Sequence, residues 1–335
     1  AIAGSGISAL KKLEQVRADV VVLDVEMPEM DGLETLVKIQ RRYPRLPVVM
    51  FSGQTTHAAS VTLEALFRGA TDCVAKPAAV GTRAAALAYV ERVLIPKLRE
   101  LGATPVRPSA STEPFAREAS TVRINARPLM DRPAPRGVIV GIGSSTGGHN
   151  ALAALLSAMS RPIGGPVLIC QHMPPSFTPL LAARLARRTG LDVAEARDGE
   201  LIVPEMVRVA PGGRHLSVEE TDRGPVTRLE GGPPVNGCKP SVDVLFRSMA
   251  AIYGANMTAV VLTGMGTDGA DGACHVQEHG GQVVVQDKES SVVWGMPGAV
   301  VRHGFANAVL PLEELGAWIG STLSTRVRRE DGGNV

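Results

Sequence analysis

Gly143-Ser144-Ser145-Thr146-Gly147 has the spacing G-x-S-x-G, in which small neighbours let the backbone turn sharply and leave the central hydroxyl exposed. That selects Ser145 over Ser144 as a nucleophile. A serine hydroxyl is weak until an imidazole takes its proton, and the imidazole needs a carboxylate to hold its tautomer and stabilise its cation. His172 and Asp268 suit those two roles. The oxyanion that develops on an attacked carbonyl calls for backbone N–H donors, and Met265, flanked by Gly264 and Gly266, can present one. A separate set, Asp24, Ser52 and Lys76, offers a carboxylate, a hydroxyl and an ammonium. Together they suit phosphoryl acceptance, with Asp24 as nucleophile and Lys76 pairing the new charge. Taken alone, the serine turn also fits a glycine-rich loop cradling a phosphate at a helix N-terminus.

The elements that must position these residues are legible as apolar runs. Val138 to Val140 with Ile142 has the character of a buried strand, breaking at Gly141 and Gly143, and Ala151 to Met159 follows with helical spacing. Pro166 to Cys170 delivers Gln171 and His172, and Met257 to Leu262 runs into Thr-Gly-Met-Gly-Thr-Asp-Gly at 263 to 269. Ser145, His172 and Asp268 thus each follow the C-terminal end of a strand. In an open parallel sheet that edge is where ligands bind. The chain order Ser, His, Asp differs from that of α/β-hydrolases, so a different fold is expected to reach a similar geometry. In the first hundred residues, strands at Val20 to Leu23, Val48 to Phe51 and Cys73 to Ala75 alternate with helical stretches such as Leu33 to Arg42 and Ser60 to Phe67. This is again a parallel α/β pattern, with Asp24, Ser52 and Lys76 at the strand ends.

Other residues compete for the same roles. His149 lies four residues after Ser145 but on the following helix, with no strand end to fix it. Asp271 is expected to open the next helix. His275-Val-Gln-Glu-His279 matches the zinc-protease pattern H-x-x-E-H, yet Gly280 ends that helix at once and no third ligand is apparent. His57, His215 and His303 are isolated.

The chain has 335 residues, room for about two domains, and a net charge of +2. Residues 103 to 136, rich in Pro, Ser, Ala and Arg and without periodicity, read as a linker. This divides the chain into 1–102, a linker at 103–136, a second domain at 137–327 and a tail at 328–335. Aromatic residues make up 3% and offer no stacking platform, so no nucleic-acid partner is expected. There is no long apolar run or secretion signal, so no membrane insertion and a cytoplasmic location are expected. The four cysteines, Cys73, Cys170, Cys238 and Cys274, form no C-x-x-C pair and read as reduced thiols.

Two resemblances sharpen this. Val-Val-Val-Leu-Asp-Val-Glu-Met-Pro-Glu-Met-Asp-Gly at 20 to 32, Met-Phe-Ser-Gly at 50 to 53 and Ala-Lys-Pro at 75 to 77 resemble the receiver domain of two-component response regulators. The resemblance implies a flavodoxin-like domain with Asp24 as phosphorylation site and Ser52 and Lys76 contacting the phosphate. It also implies a histidine kinase as phosphodonor and Mg²⁺ for phosphorylation. The chain opens near what would be the second strand, so a receiver lacking its first strand and acidic pair is expected, and Asp24 alone would hold Mg²⁺ poorly.

Residues 137 to 325 resemble the catalytic domain of the chemotaxis protein-glutamate methylesterases, the CheB family. The matching stretches are Gly-Ser-Ser-Thr-Gly-Gly at 143 to 148, Gln-His-Met-Pro at 171 to 174, Ala-Pro-Gly-Gly-Arg-His at 210 to 215, Cys-Lys-Pro-Ser-Val-Asp at 238 to 243, Leu-Thr-Gly-Met-Gly-Thr-Asp-Gly-Ala at 262 to 270 and Met-Pro-Gly-Ala at 296 to 299. This resemblance implies Ser145 as nucleophile, His172 as base, Asp268 as orienting acid, and Thr146 and Met265 lining the site. It implies hydrolysis of glutamate methyl esters on chemoreceptor cytoplasmic helices without a catalytic cofactor, glutamine deamidation in some members, and control by receiver phosphorylation. The expected fold is therefore α/β throughout, two doubly wound parallel-sheet domains. The alternatives are a signalling protein whose second domain only binds, and a carboxylesterase for small molecules.

Overall fold

The computed structural model describes residues 1–53, 55–77, 82–103, 137–159 and 161–331, with side chains described as far as Thr322. The chain divides into two compact units, Ala1–Ser120 and Thr121–Val335, the division falling within the predicted linker. That linker lies outside the described residues except for Ala103, which closes a helix.

The first unit runs α1 (Gly6–Gln15), β1 (Val21–Asp24), α2 (Gly32–Arg42), β2 (Val48–Ser52), α3 (Thr56–Phe67), β3 (Asp72–Ala75) and α4 (Arg83–Ala103). Side-chain caps set the helix starts: Asp31 accepts from the Glu34 N–H at 2.8 Å and Thr55 from the Ala58 N–H at 3.2 Å. The Thr55 cap explains why α3 begins four residues before its apolar periodicity. The three strands pair in parallel in the order β1-β2-β3, with Asp24 opposite Phe51 and Ser52 opposite Ala75. In a flavodoxin-like sheet ordered 2-1-3-4-5, three adjacent strands in chain order match the 3-4-5 run. The first strand of that order is not among the described residues, nor is the second.

The second unit begins with β4 (Ile139–Ser144), α5 (Gly148–Ala158), β5 (Val167–Gln171), α6 (Thr178–Thr189), β6 (Asp192–Glu195) and β7 (Met206–Val209). A hairpin, β8 (His215–Thr221) and β9 (Gly224–Glu230), precedes α7 (Val242–Tyr253) and β10 (Met257–Val261). The chain closes with α8 (Ala270–Glu278), β11 (Gln282–Gln286), α9 (Gly295–Arg302), β12 (Ala308–Leu310) and α10 (Leu312–Asp331). The boundary drawn at Val327 falls inside α10, which continues through residues of good helix propensity such as Arg328, Arg329 and Glu330.

Seven strands form one parallel sheet in the order β12-β11-β10-β4-β5-β7-β6. Its central strands are continuous apolar runs, the mark of a sheet buried on both faces. Every residue of β4, β5 and β10 is buried. The chain leaves β4 on one side toward β5 and returns to its other side with β10. That reversal is the switch point at which open α/β sheets form a crevice.

The sequence suggests that the first strand of this unit breaks at Gly141 and Gly143. Instead β4 runs straight through both, paired with β10 and β5. The glycines serve a close approach: a Cβ on Gly141 would meet Met249 and Phe246, and one on Gly143 would meet Val242, all on α7. The glycines let that helix pack directly onto the strand that carries Ser145.

Candidate active site

Three neighbouring strands, β10, β4 and β5, deliver the predicted triad to one sheet edge. Ser144 pairs with Gln171 in the β4–β5 register, so Ser145 and His172 are the next residues on adjacent strands, and the His172 N–H donates to Ser144 O at 3.0 Å. Asp268 comes from the loop after β10 and reaches past β4 to His172, whose Nε2 lies 2.8 Å from Asp268 Oδ2. Ser145 is buried, and among the described residues its hydroxyl makes no hydrogen bond.

The turn after β4 is locked from several sides. Gly147 sits at φ 77° as the N-cap of α5, a left-handed conformation that side-chain-bearing residues rarely adopt. This is why α5 starts three residues earlier than its apolar spacing suggests. The Ser144 hydroxyl donates to Gln171 Oε1 at 2.6 Å, and Gln171 Nε2 donates to Ser145 O at 2.9 Å. Thr263 Oγ1 donates to Thr146 O at 3.0 Å and accepts from the Val293 N–H at 3.0 Å, tying the loops after β4, β10 and β11 together. The Ser145 N–H is used on Thr263 O at 3.1 Å. By contrast the Met265 N–H makes no hydrogen bond among the described residues, which leaves it as a donor for a developing oxyanion. Thr146 is fully enclosed beside Ser145.

Asp268 is an acceptor with four donors. Besides His172 it takes the Ser241 hydroxyl at 2.8 Å, the Val242 N–H at 2.7 Å and the Asp243 N–H at 3.2 Å. The last two are the opening N–H groups of α7, so Asp268 caps that helix while it orients His172. Asp243 returns the favour. Its Oδ1 accepts from the Gly269 N–H at 2.9 Å and the Gly272 N–H at 2.6 Å, capping α8. The two loops are cross-capped and fix each other's geometry.

The electrostatics follow from this. Burial would raise the Asp268 pKa, but the bond from His172, with Val242 and Ser241, outweighs it and holds the carboxyl below its ordinary value. Burial would lower the His172 pKa, but Asp268, helped by the Cys170 and Cys238 thiols, holds it well above 6.5. Asp243, fully buried beside that charge, is pushed up to about 6, chiefly by burial.

Among the competing residues, His149 is buried in the first turn of α5 rather than at a strand end. Asp271 lies in the first turn of α8 and pairs with Arg247. His275 Nδ1 contacts Asp271 O at 2.9 Å and His279 Nδ1 contacts His275 O at 2.8 Å, and among the described residues neither belongs to a group of three metal-ligating side chains. Gln171, Thr263, Ser241 and Asp243 were the residues sequence reasoning left without a role. Gln171 and the Ser-Val-Asp run at 241 to 243 stood beside predicted site residues or in matched stretches, but a capping role appears only when two loops meet.

In the first unit, Lys76 Nζ donates to Asp24 Oδ2 at 2.6 Å, joining the two predicted strand-end residues. Ser52 does not join them: its buried hydroxyl faces Gly53 O at 3.2 Å and Ala58 O at 3.3 Å. Among the described residues no group of three His, Cys, Asp or Glu side chains forms around Asp24.

Residues 140–319 match the family model described as CheB methylesterase, and residues 1–87 match that of the response regulator receiver domain. A protein-glutamate methylesterase/protein-glutamine glutaminase of a Nocardioides species is 46% identical over 316 residues, covering 93% of this chain and 84% of its own. A protein of the same description from Trichodesmium erythraeum is 43% identical over 319 residues, covering 94% of this chain and 88% of its own. The crystal structure of the Thermotoga maritima CheB methylesterase catalytic domain matches with a TM-score of 0.55 and 40% identity, covering 56% of this chain and 99% of that one.

Proposed function

This chain belongs to the CheB methylesterase family, with a response regulator receiver domain ahead of its catalytic unit, and we propose that Ser145, His172 and Asp268 carry out its hydrolysis of protein glutamate methyl esters. The observation that carries the assignment is the 2.8 Å His172–Asp268 contact at the edge where the adjacent strand runs out into Ser145. With Nε2 committed to Asp268, the nitrogen left to act as base is Nδ1.

Ser145 Oγ attacks the ester carbonyl carbon while its proton passes to His172 Nδ1. Asp268 stabilises the imidazolium so formed, and the oxyanion is met by the Met265 N–H. Collapse expels methoxide, which takes the proton from His172 and leaves as methanol. Water, giving its proton to the same nitrogen, then attacks the acyl-serine. Ser145 recovers that proton and the product is a glutamate carboxylate. With a glutamine side chain the same steps would release ammonia, in keeping with the glutaminase half of the relatives' names. No catalytic step here calls for a metal or cofactor.

The substrate is taken to be methylated cytoplasmic helices of chemoreceptors, and the phosphodonor to Asp24 a chemotaxis histidine kinase, both in the cytoplasm. Phosphorylation is taken to regulate the esterase. Among the described residues no helix is long and apolar enough to cross a membrane. The test is methanol release from receptor helices methylated in vitro. The unaltered chain is expected to release it, and Ser145→Ala to fall by about 10⁴-fold or more. Release by the variant at the parental rate would remove Ser145 from the mechanism. Turnover of free small esters with none on the receptor would point to a small-molecule carboxylesterase, and no turnover of either to a binding-only domain.

A further inference from the structure

We propose that His172 and Cys238 chelate a borderline-soft divalent cation, Zn²⁺ in the first instance, and that its binding shuts off the esterase. The juxtaposition begins with a local sequence signal. Val235-Asn236-Gly237-Cys238 is a two-residue hairpin in which Asn236 and Gly237 have φ of 51° and 75°, the pattern of a type I′ turn. The turn is closed by Val235 N–H to Cys238 O at 3.0 Å and Cys238 N–H to Val235 O at 2.9 Å. Asn236 Nδ2 donates to Asp243 Oδ2 at 2.5 Å, which ties the hairpin to the cross-capped loops. Cys238 is therefore held in place on rigid backbone rather than carried on a slack loop.

Its sulfur stands 3.6 Å from His172 Nδ1. Zn²⁺ holds an imidazole nitrogen at about 2.0 Å and a thiolate sulfur at about 2.3 Å, and a tetrahedral angle between them places N and S about 3.5 Å apart. The observed pair matches that bite. The other imidazole nitrogen is bonded to Asp268, the carboxylate–histidine arrangement that orients a metal-binding imidazole and raises its basicity. His172, Cys238 and Asp268 are the one group of three such side chains among the described residues whose ligand atoms all lie within 4.8 Å of one another. Asp268 acts from behind the ring, so two coordination positions remain for water. The His172 side chain is 13% exposed and Cys238 is half-buried, which leaves the pair within reach of solvent.

Binding replaces the S–H bond of Cys238 by a Zn–S bond, releases that proton to solvent and occupies the lone pair of Nδ1. On the mechanism proposed above, Nδ1 is the atom that must accept the Ser145 proton. The inhibition rests on that mechanism; the binding does not.

The two are separated by measuring binding directly. The full chain, stripped of metal with a chelator, is titrated with Co²⁺ and with Zn²⁺. One equivalent of Co²⁺ is expected to produce near-ultraviolet thiolate-to-cobalt charge-transfer absorption, and Zn²⁺ to abolish it. Cys238→Ala is expected to lose that absorption and to bind Zn²⁺ at least about tenfold more weakly. Cys274→Ala, which alters a thiol on α8, is expected to keep both. Methanol release, taken for each protein relative to its own metal-free rate, is expected to fall with Zn²⁺ in the parent and to resist it in Cys238→Ala, with chelator restoring the parent. Absence of the cobalt band, or Zn²⁺ binding unchanged in Cys238→Ala, overturns the proposal. A band that depends on Cys238 with no esterase activity in the metal-free parent would retain the site and overturn the function.

Discussion

Asp268→Asn separates the two tasks this carboxylate performs. Asparagine keeps one acceptor oxygen and replaces the other by an NH₂. With the NH₂ at the Oδ2 position, it confronts both His172 Nε2 and the Val242 N–H, now at 2.8 and 2.7 Å from that atom. His172 can then accept from the amide only by moving its proton to Nδ1, which removes the lone pair that takes the Ser145 proton. With the amide the other way round, the tautomer survives but the negative charge that stabilises the imidazolium is gone. In serine hydrolases the corresponding change costs about 10⁴ in kcat, roughly 5 kcal/mol of barrier. The same substitution leaves one opening N–H of α7 unpaired, about 1–3 kcal/mol, and removes a charge at a helix N-terminus, about 0.3–1 kcal/mol. The expected outcome is a 10³- to 10⁴-fold loss of kcat/KM, with about 1–4 kcal/mol lost from the urea unfolding free energy. The pH profile gives an independent check. Activity requires neutral His172, so in the parent it rises with pH through a pKa above 6.5, and without Asp268 that limb moves to lower pH. A variant that loses stability but less than about tenfold in kcat/KM would reduce Asp268 to a helix cap and refute the triad.

Gly147→Ala forces a side chain into a left-handed backbone at φ 77° with its Cβ 2.6 Å from Val292 Cγ2, and should cost about 2–4 kcal/mol in urea unfolding with loss of activity. Asp243 has a folded-state pKa of about 6, raised above the ordinary 3.8, so its contribution to stability is present below about pH 4 and lost as pH rises through 6. Stability of the parent relative to Asp243→Asn is accordingly expected to decline between pH 4 and 7 in urea titrations; a flat difference would contradict the burial argument. Asp24→Asn is expected to abolish any response of the esterase to a small phosphodonor while leaving the unstimulated rate unchanged, measured by methanol release.

Much of this protein was decided within short stretches of chain. Apolar runs ending in Asp24, Ser145 and His172 fixed which residues stand at strand ends, because a strand buried on both faces reads as a continuous hydrophobic run. The G-x-S-x-G spacing singled out Ser145, since Gly147 occupies a backbone conformation that glycine adopts freely and other residues rarely do. What local pattern could not give is any relation between distant loops. Glycines 141 and 143 look like strand breaks until α7 is seen lying against them. The hydroxyl of Ser52 donates to the carbonyls of Gly53 and Ala58, an orientation that its place at a strand end does not reveal. The exchange of caps between Asp268 and Asp243, the choice of Nε2 rather than Nδ1 as the nitrogen facing Asp268, and the placing of Cys238 beside the free nitrogen all join residues 25 to 96 positions apart. Hydrogen bonds of that kind depend on sub-ångström placement by the packed sheet and its helices, and nothing in the spacing of residues along the chain encodes it.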